Sequence, residues 1–281
     1  MPGIPVRLSG KLIFGGISML LLTMLLVWFA ITLRGQPRVV AASSSLIQQT
    51  GENIVGQLNQ QLLRIEGEVV SVARLAEVLP HQETLVKSVV PQIIDSKGDK
   101  SIAGGGIWPE PNAFTEGVAR RSFFWSRDAS GALAYSDGYN EAGGAGYHNE
   151  SWYTSVREAP RNKCGWSEVY QDPVSQVNMV TCSVPYVQGD KFAGVATFDV
   201  LLDNLSGFMQ SHGNLTGGYA FALDSAGNVL YFPGAKDKAL KKFSALAAEK
   251  PWLAPVLKSI AQNKAMTTLD HVQDGVLNKD A

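Results

Sequence analysis

The sequence predicts an α+β protein: a long helix followed by antiparallel strands, behind one helix able to cross a membrane. Three observations carry this. An uncharged apolar run fills Leu12–Leu33. A rhythm of apolar residues at three- and four-residue steps follows from about Val39 to Leu79. From Gly104 onward, short apolar runs alternate with turn signals, without the strand–helix–strand order of a doubly wound sheet.

The apolar run comes first. At about 1.5 Å per residue it spans about 33 Å, against a hydrocarbon core of about 30 Å. Trp28 and Phe29 lie near its far end, where an aromatic belt sits. A cleaved signal peptide is the rival reading, but its apolar region is about 7–15 residues long and ends at small residues. Here the run is longer and Arg34 follows it, which favours an uncleaved anchor. Arg7 and Lys11 on one side nearly balance Arg34 and Arg38 on the other. The short N-terminal flank makes residues 1–11 cytoplasmic in the simpler topology, with the remainder extracytoplasmic.

In the next segment, residues 34–80, Ile47, Ile54, Leu58, Leu62, Ile65, Val69, Val72 and Leu79 trace one helical face. Gln48, Asn59, Arg64 and Glu68 occupy other faces. A coiled-coil stalk and a helix packed along the following domain both fit, and a homodimer accommodates both, although the heptads are imperfect.

Strands are expected near Ile102–Trp108, Ser122–Ser126, Leu133–Tyr135, Gly165–Gln171, Asn178–Pro185 and Phe192–Leu201. Turn signals at 128–131, 172–175 and 188–190 separate them. Short helices fit Ser151–Glu158 and a segment starting near Leu202. Past Gly207, Tyr219–Leu223 and Val229–Phe232 form a hairpin around DSAGN. DSAGNVLYFP repeats the pattern of DASGALAYSD, so residues 81–205 and 206–281 read as two related modules, the second ending part-way.

Net charge is −1, and neither a basic tract nor an acidic tail occurs, so nucleic acid is not an expected partner. The two cysteines, Cys164 and Cys182, exclude a cysteine-only zinc site. Centring the intervening turn on Val174 places Cys164 opposite Val184, diagonal to Cys182. A disulfide and two free thiols remain open. Hydrolase, Walker-loop and dinucleotide motifs are missing, and the four histidines, His81, His148, His212 and His271, are scattered. No catalytic residue, metal or cofactor is expected.

The stretch GYHNESWYTSVREAPRNKCGWSEVYQDPVSQVNMVTCSVPYVQGDKFAGVATFDVLLDNL, Gly146 to Leu205, resembles the first module of a double Cache (dCache) sensor domain. The recognisable parts are WY on a short helix, WSEVYQD, a strand ending in SVP, and GVATFDVLLDNL. GGGIWPEPNAF and FFWSRDASGALAYSDGYN resemble the start of the same module. The resemblance covers nearly all of the chain. It implies PAS-like sheets hung on a long helix, and a receptor for chemotaxis, a histidine kinase, a cyclic-dinucleotide enzyme or a phosphatase, with an output domain outside this sequence. The rival is a membrane-anchored binding or interaction module without signalling output.

Alternation along a strand places Trp166, Glu168, Tyr170 and Asp172 on one face. Asp199 lies inside the apolar strand FAGVATFDVLL, where a carboxylate needs a donor or a cationic ligand. Asp172 also suits a simple turn role before Pro173. In amino-acid-binding relatives, Trp152 lines the pocket and an Arg two residues earlier clasps the ligand carboxylate; here that position is Glu150. Carboxylates among aromatic rings favour an amine over an amino acid. Tyr139, His148 and Trp125 border the expected cavity. Arg120 and Arg121 keep a positive clamp open. The expected ligand set is Trp152, Tyr170, Asp172, Asp199, Glu150, Tyr139 and Trp125.

Overall fold

The structure is a computed structural model describing residues 6–96, 98–144, 146–173, 175–214, 217–233, 241–262, 269, 272–277 and 279–280. Residues 1–5 of the N-terminal flank, the turn centre Val174 and His271 lie outside the described residues. The chain divides into two units, residues 1–53 and 54–281.

The first unit is helical. It holds α1 (Val6–Ala30), a π-helical turn (Ile31–Gly35) and the start of α2 (Gln36–Val78). From Leu12 to Leu33 the large apolar side chains are exposed. Among the described residues, this is the one stretch long and apolar enough to cross a membrane.

The second unit is α+β. After α2 come α3 (Glu83–Ile94), β1 (Ile102–Pro109), β2 (Phe123–Arg127), β3 (Leu133–Ser136), α4 (Ser151–Thr154), β4 (Gly165–Trp166), β5 (Tyr170–Gln171), β6 (Asn178–Gln188), β7 (Lys191–Leu201) and α5 (Leu202–Gly213). The strands form a seven-stranded sheet in the order β3-β2-β1-β7-β6-β4, with β5 also on β6. Its described pairings are antiparallel. Helix α3 was not among the expected elements, and it contains Pro91. The proline sits in the last turn, and Val86, Val90 and Ile94 carry the helix onto the sheet.

One face of the sheet meets the helices. Ile65, Val69, Val72, Ala73 and Ala76 of α2 pack with Phe123, Trp125, Cys182, Val184, Ala196, Phe198 and Val200. From Ile65 to Val72 the helical rhythm in the sequence is therefore a packing face of this unit, whereas Ile47, in the first unit, is exposed. The other face carries an aromatic layer of Trp108, Phe124, Tyr139, Tyr147, Trp152 and Tyr153. Gly104–Gly106 let β1 fit between β2 and β7: a Cβ on Gly106 would overlap the Phe123 carbonyl oxygen.

A smaller module follows. β8 (Ala222–Leu223) pairs with β9 (Val229–Tyr231), and α6 (Phe243–Glu249) and α7 (Ala254–Ala261) supply part of a separate core around Phe232, Phe243 and Leu246. The two Asp-containing hairpin turns share one geometry. Asp128 Oδ1 accepts from the Ser130 and Ala132 amides; Asp224 Oδ1 accepts from Ala226 and Asn228. Gly131 and Gly227 take φ of 80° and 78°, a region that Gly enters without strain.

Candidate ligand-binding site

The face opposite α2 carries the polar residues of the sheet. On β6 these are Thr181 and Ser183, and on β7 Thr197 and Asp199. Register sets them in rows: Ser126, Gly104, Asp199 and Thr181 lie side by side across four strands. Gly104 adds no side chain, so the space above Asp199 stays open. A cavity of about 550 Å³ lies there, lined by Asp199, Phe124, Ser126, Asp128, Ser175 and Met179 among others.

Asp199 is 4% exposed, and its Oδ1 accepts from Thr181 Oγ1 at 2.7 Å. Thr181 Oγ1 in turn lies 2.7 Å from the Tyr170 hydroxyl. With its proton given to Asp199, Thr181 must accept from Tyr170. Burial pushes the Asp199 carboxyl up to about 7; the Thr181 bond offsets part of this, and the Asp172 charge adds to it. Among the described residues, no basic side chain bonds Asp199. Lys100 and Arg127 border the same cavity but are committed, Lys100 to the Gly131 carbonyl and Arg127 to Asp95 and three carbonyls.

Asp172, 2% exposed, accepts from the Tyr139 hydroxyl and, at 2.6 Å, from the Ser175 amide. It therefore shapes its turn and also anchors Tyr139. Glu150, at the N-terminus of α4, has its carboxyl raised by burial and by the Asp172 charge. Tyr170 is held protonated by burial and by the charges of Asp199, Asp172 and Glu150, so the three carboxyls bear on one locality. Trp152 packs on Trp108 at 4.8 Å, and Trp108 meets Tyr139 edge-on at 5.0 Å. The Trp108 indole donates to Thr197, whereas the buried Trp152 Nε1 lacks a partner among the described residues.

Six of the seven expected residues thus lie on this side of the sheet, Asp199 among them lining the cavity and the other five outside its wall, and Trp125 does not. It is on β2 beside Phe124, and alternation sends it to the helix face against Tyr135. The expected shared face of Trp166, Glu168, Tyr170 and Asp172 also fails. Trp166 pairs with Cys182 but Tyr170 pairs with Met179, a one-residue slip that flips the strand's faces. Trp166 therefore lies on the helix side and Tyr170 on the cavity side. Arg120 bonds the Glu141 and Gly144 carbonyls, and Arg121 pairs with Glu83, so both are engaged away from Asp199. His148 faces the Pro109 carbonyl and Tyr147. Cys164 and Cys182 form a disulfide with Cα atoms 5.3 Å apart. Among the described residues, no group of three His, Cys, Asp or Glu side chains suits a metal. Thr181 and Ser126 are members of the site that sequence reasoning missed.

Residues 86–207 match the family model for the first PDC sensor domain of methyl-accepting chemotaxis protein-like receptors. The match covers less than half of the chain. Around it, the chain is 24% identical over 252 residues to methyl-accepting chemotaxis protein McpC of Bacillus subtilis (strain 168), covering 85% of this chain and 34% of that protein. The chain thus spans about a third of the length of this curated relative. In fold, the sensor domain and its neighbours resemble an extracellular domain assigned to a histidine kinase, mmHK1S-Z2, at TM-score 0.60 and 17% identity, covering 83% of this chain and 88% of that one. They also resemble Methyl-accepting Chemotaxis protein X at TM-score 0.56 and 15% identity, covering 73% of this chain and 79% of that one. The α+β architecture, a long helix against antiparallel-sheet modules, is shared with these solved domains.

Proposed function

We propose that this chain is the sensory part of a bacterial transmembrane receptor whose Cache module takes a small amine-like cation. The observation that carries the ligand class is Asp199: a buried carboxyl on the cavity floor, bonded to a neutral hydroxyl, with no basic partner among the described residues. A cation supplied from outside fills that role, and the Phe124 ring in the same cavity wall offers a face for an ammonium group. Glu150, where an arginine would clasp a carboxylate, adds negative charge instead. Asp172 contributes further negative potential.

The receptor reading is supported by the family match, by the relationship to McpC and by the exposed apolar helix. In this reading residues 12–33 anchor the chain in the bacterial inner membrane and residues 1–11 are cytoplasmic. Residues 34–80 form the backbone helix, 81–205 the membrane-distal Cache module and 206–281 the start of the membrane-proximal one. The sensor is extracytoplasmic, works as a homodimer and passes a conformational signal to a cytoplasmic output domain.

The test is thermal unfolding of the full chain in detergent with alkylamines, a quaternary ammonium salt, glycine and acetate. A ligand of the folded state raises the melting temperature by mass action. Amines are expected to do so, and Asp199→Ala to abolish the shift. Stabilisation by acetate with no response to amines would reject the cation site.

A further inference from the structure

On the other side of the sheet a second cavity of about 260 Å³ lies where α2, the sheet and the smaller module meet. Its wall is mainly apolar: Leu58, Leu62 and Ile65 of α2, Val180 and Val200 of the sheet, and Leu230 of β9. It lies on the opposite face from Asp199, because Val180 and Val200 point to the helix face while Thr181 and Asp199 point away; Asn204, at the sheet's end, borders both cavities.

We propose that this cavity is a second binding site, for a compact and largely apolar molecule carrying one hydrogen-bond donor. Size follows from volume: a dry apolar cavity of about 150 Å³ holds benzene, so this one suits on the order of ten non-hydrogen atoms. The donor requirement follows from the few polar groups in the wall. Gln61 gives its amide hydrogen to Ser101 Oγ at 3.1 Å, and Asn204 gives its own to the Lys100 carbonyl at 2.8 Å. Each of these wall residues also carries an amide oxygen, which is an acceptor. Asp224, also in the wall, is already engaged by the Ala226, Asn228 and Val169 amides, and its charge disfavours an anionic ligand. A hydroxyl or N–H on the ligand meets an acceptor, whereas a carboxylate does not.

The site adjoins the connection between modules. Trp166 and Ser167 line it, and the next residues, Glu168 and Val169, bond Asn228 and Asp224 of the smaller module's turn. Tyr170, which reaches toward Asp199 through Thr181, follows directly. An occupant therefore touches the strand segment that joins the Asp199 site to the second module.

Equilibrium dialysis of the full chain in lipid nanodiscs against indole, with empty nanodiscs as the blank, tests this. Indole has the apolar bulk and a single N–H. Saturable one-to-one binding above the blank is expected, weakened at least tenfold by Leu62→Trp, which fills the cavity, and unchanged by Asp199→Ala. If Leu62→Trp does not fold, Ser225→Trp on the rim replaces it and must give the same loss. Binding no greater than the blank overturns the proposal, as does binding indifferent to the filling variant or abolished by Asp199→Ala.

Discussion

Replacing Asp199 by asparagine should remove a pH dependence of stability that the wild-type sensor carries. Folded Asp199 holds its proton up to about 7, against an ordinary value of 3.8. Between those values the folded state binds more protons than the unfolded one, so stability falls as pH rises through the window and levels off above it. A rise of about three units corresponds to about 4 kcal/mol, of which about 3 kcal/mol is lost between pH 5 and pH 8. For a domain of this size that is a fall of about 5–10 °C in melting temperature. Asp95, Asp99 and Asp224, whose carboxyls are held below the ordinary value, finish titrating at lower pH and add nothing to this interval. Glu150, raised, adds to the slope; His148, lowered by burial, opposes it. Differential scanning calorimetry at pH 5, 6.5 and 8 provides the assay. Asp199→Asn should flatten the curve and exceed wild type at pH 8. A flat wild-type curve, or a variant with the wild-type slope, would refute the reasoning.

Three further outcomes follow from the same geometry. Amine binding, read by calorimetry, should weaken by up to about tenfold per pH unit below 7, because the cation needs ionised Asp199; binding that is independent of pH would remove Asp199 from the ligand contacts. Thr181→Val deletes the donor to Asp199 and the acceptor for Tyr170, and should cost about 1–3 kcal/mol at pH 8 in denaturant unfolding. Reducing Cys164–Cys182, which closes a sequence separation of 18, should cost about 3 kcal/mol, seen as a lower melting temperature in reductant.

How far each residue was legible depended on how local its causes are. The long apolar run, the apolar stripe of α2 and most strand positions are written in local pattern, which the backbone geometry of a single element fixes. The hairpin turns are written as well, since Asp128 and Asp224 bond amides within four residues of themselves. Asp199 was legible as an ionisable residue inside an apolar strand. Its partner was not. From the turn, Gln188 pairs with Lys191 and Val187 with Phe192, a register that would set Asp199 opposite Val180. A one-residue irregularity between Tyr186 and Val187 moves the pairing by one and brings Thr181 there instead. A second slip, between Trp166 and Tyr170, sends those two rings to opposite sides of the sheet. Thus local pattern gave the long helix, most strands and the long apolar run, though not α3, and showed that a carboxyl would be buried. Only the tertiary structure decided which side chains share the cavity with it, because a single extra residue inverts every side chain beyond it and leaves the hydrophobic pattern almost unchanged.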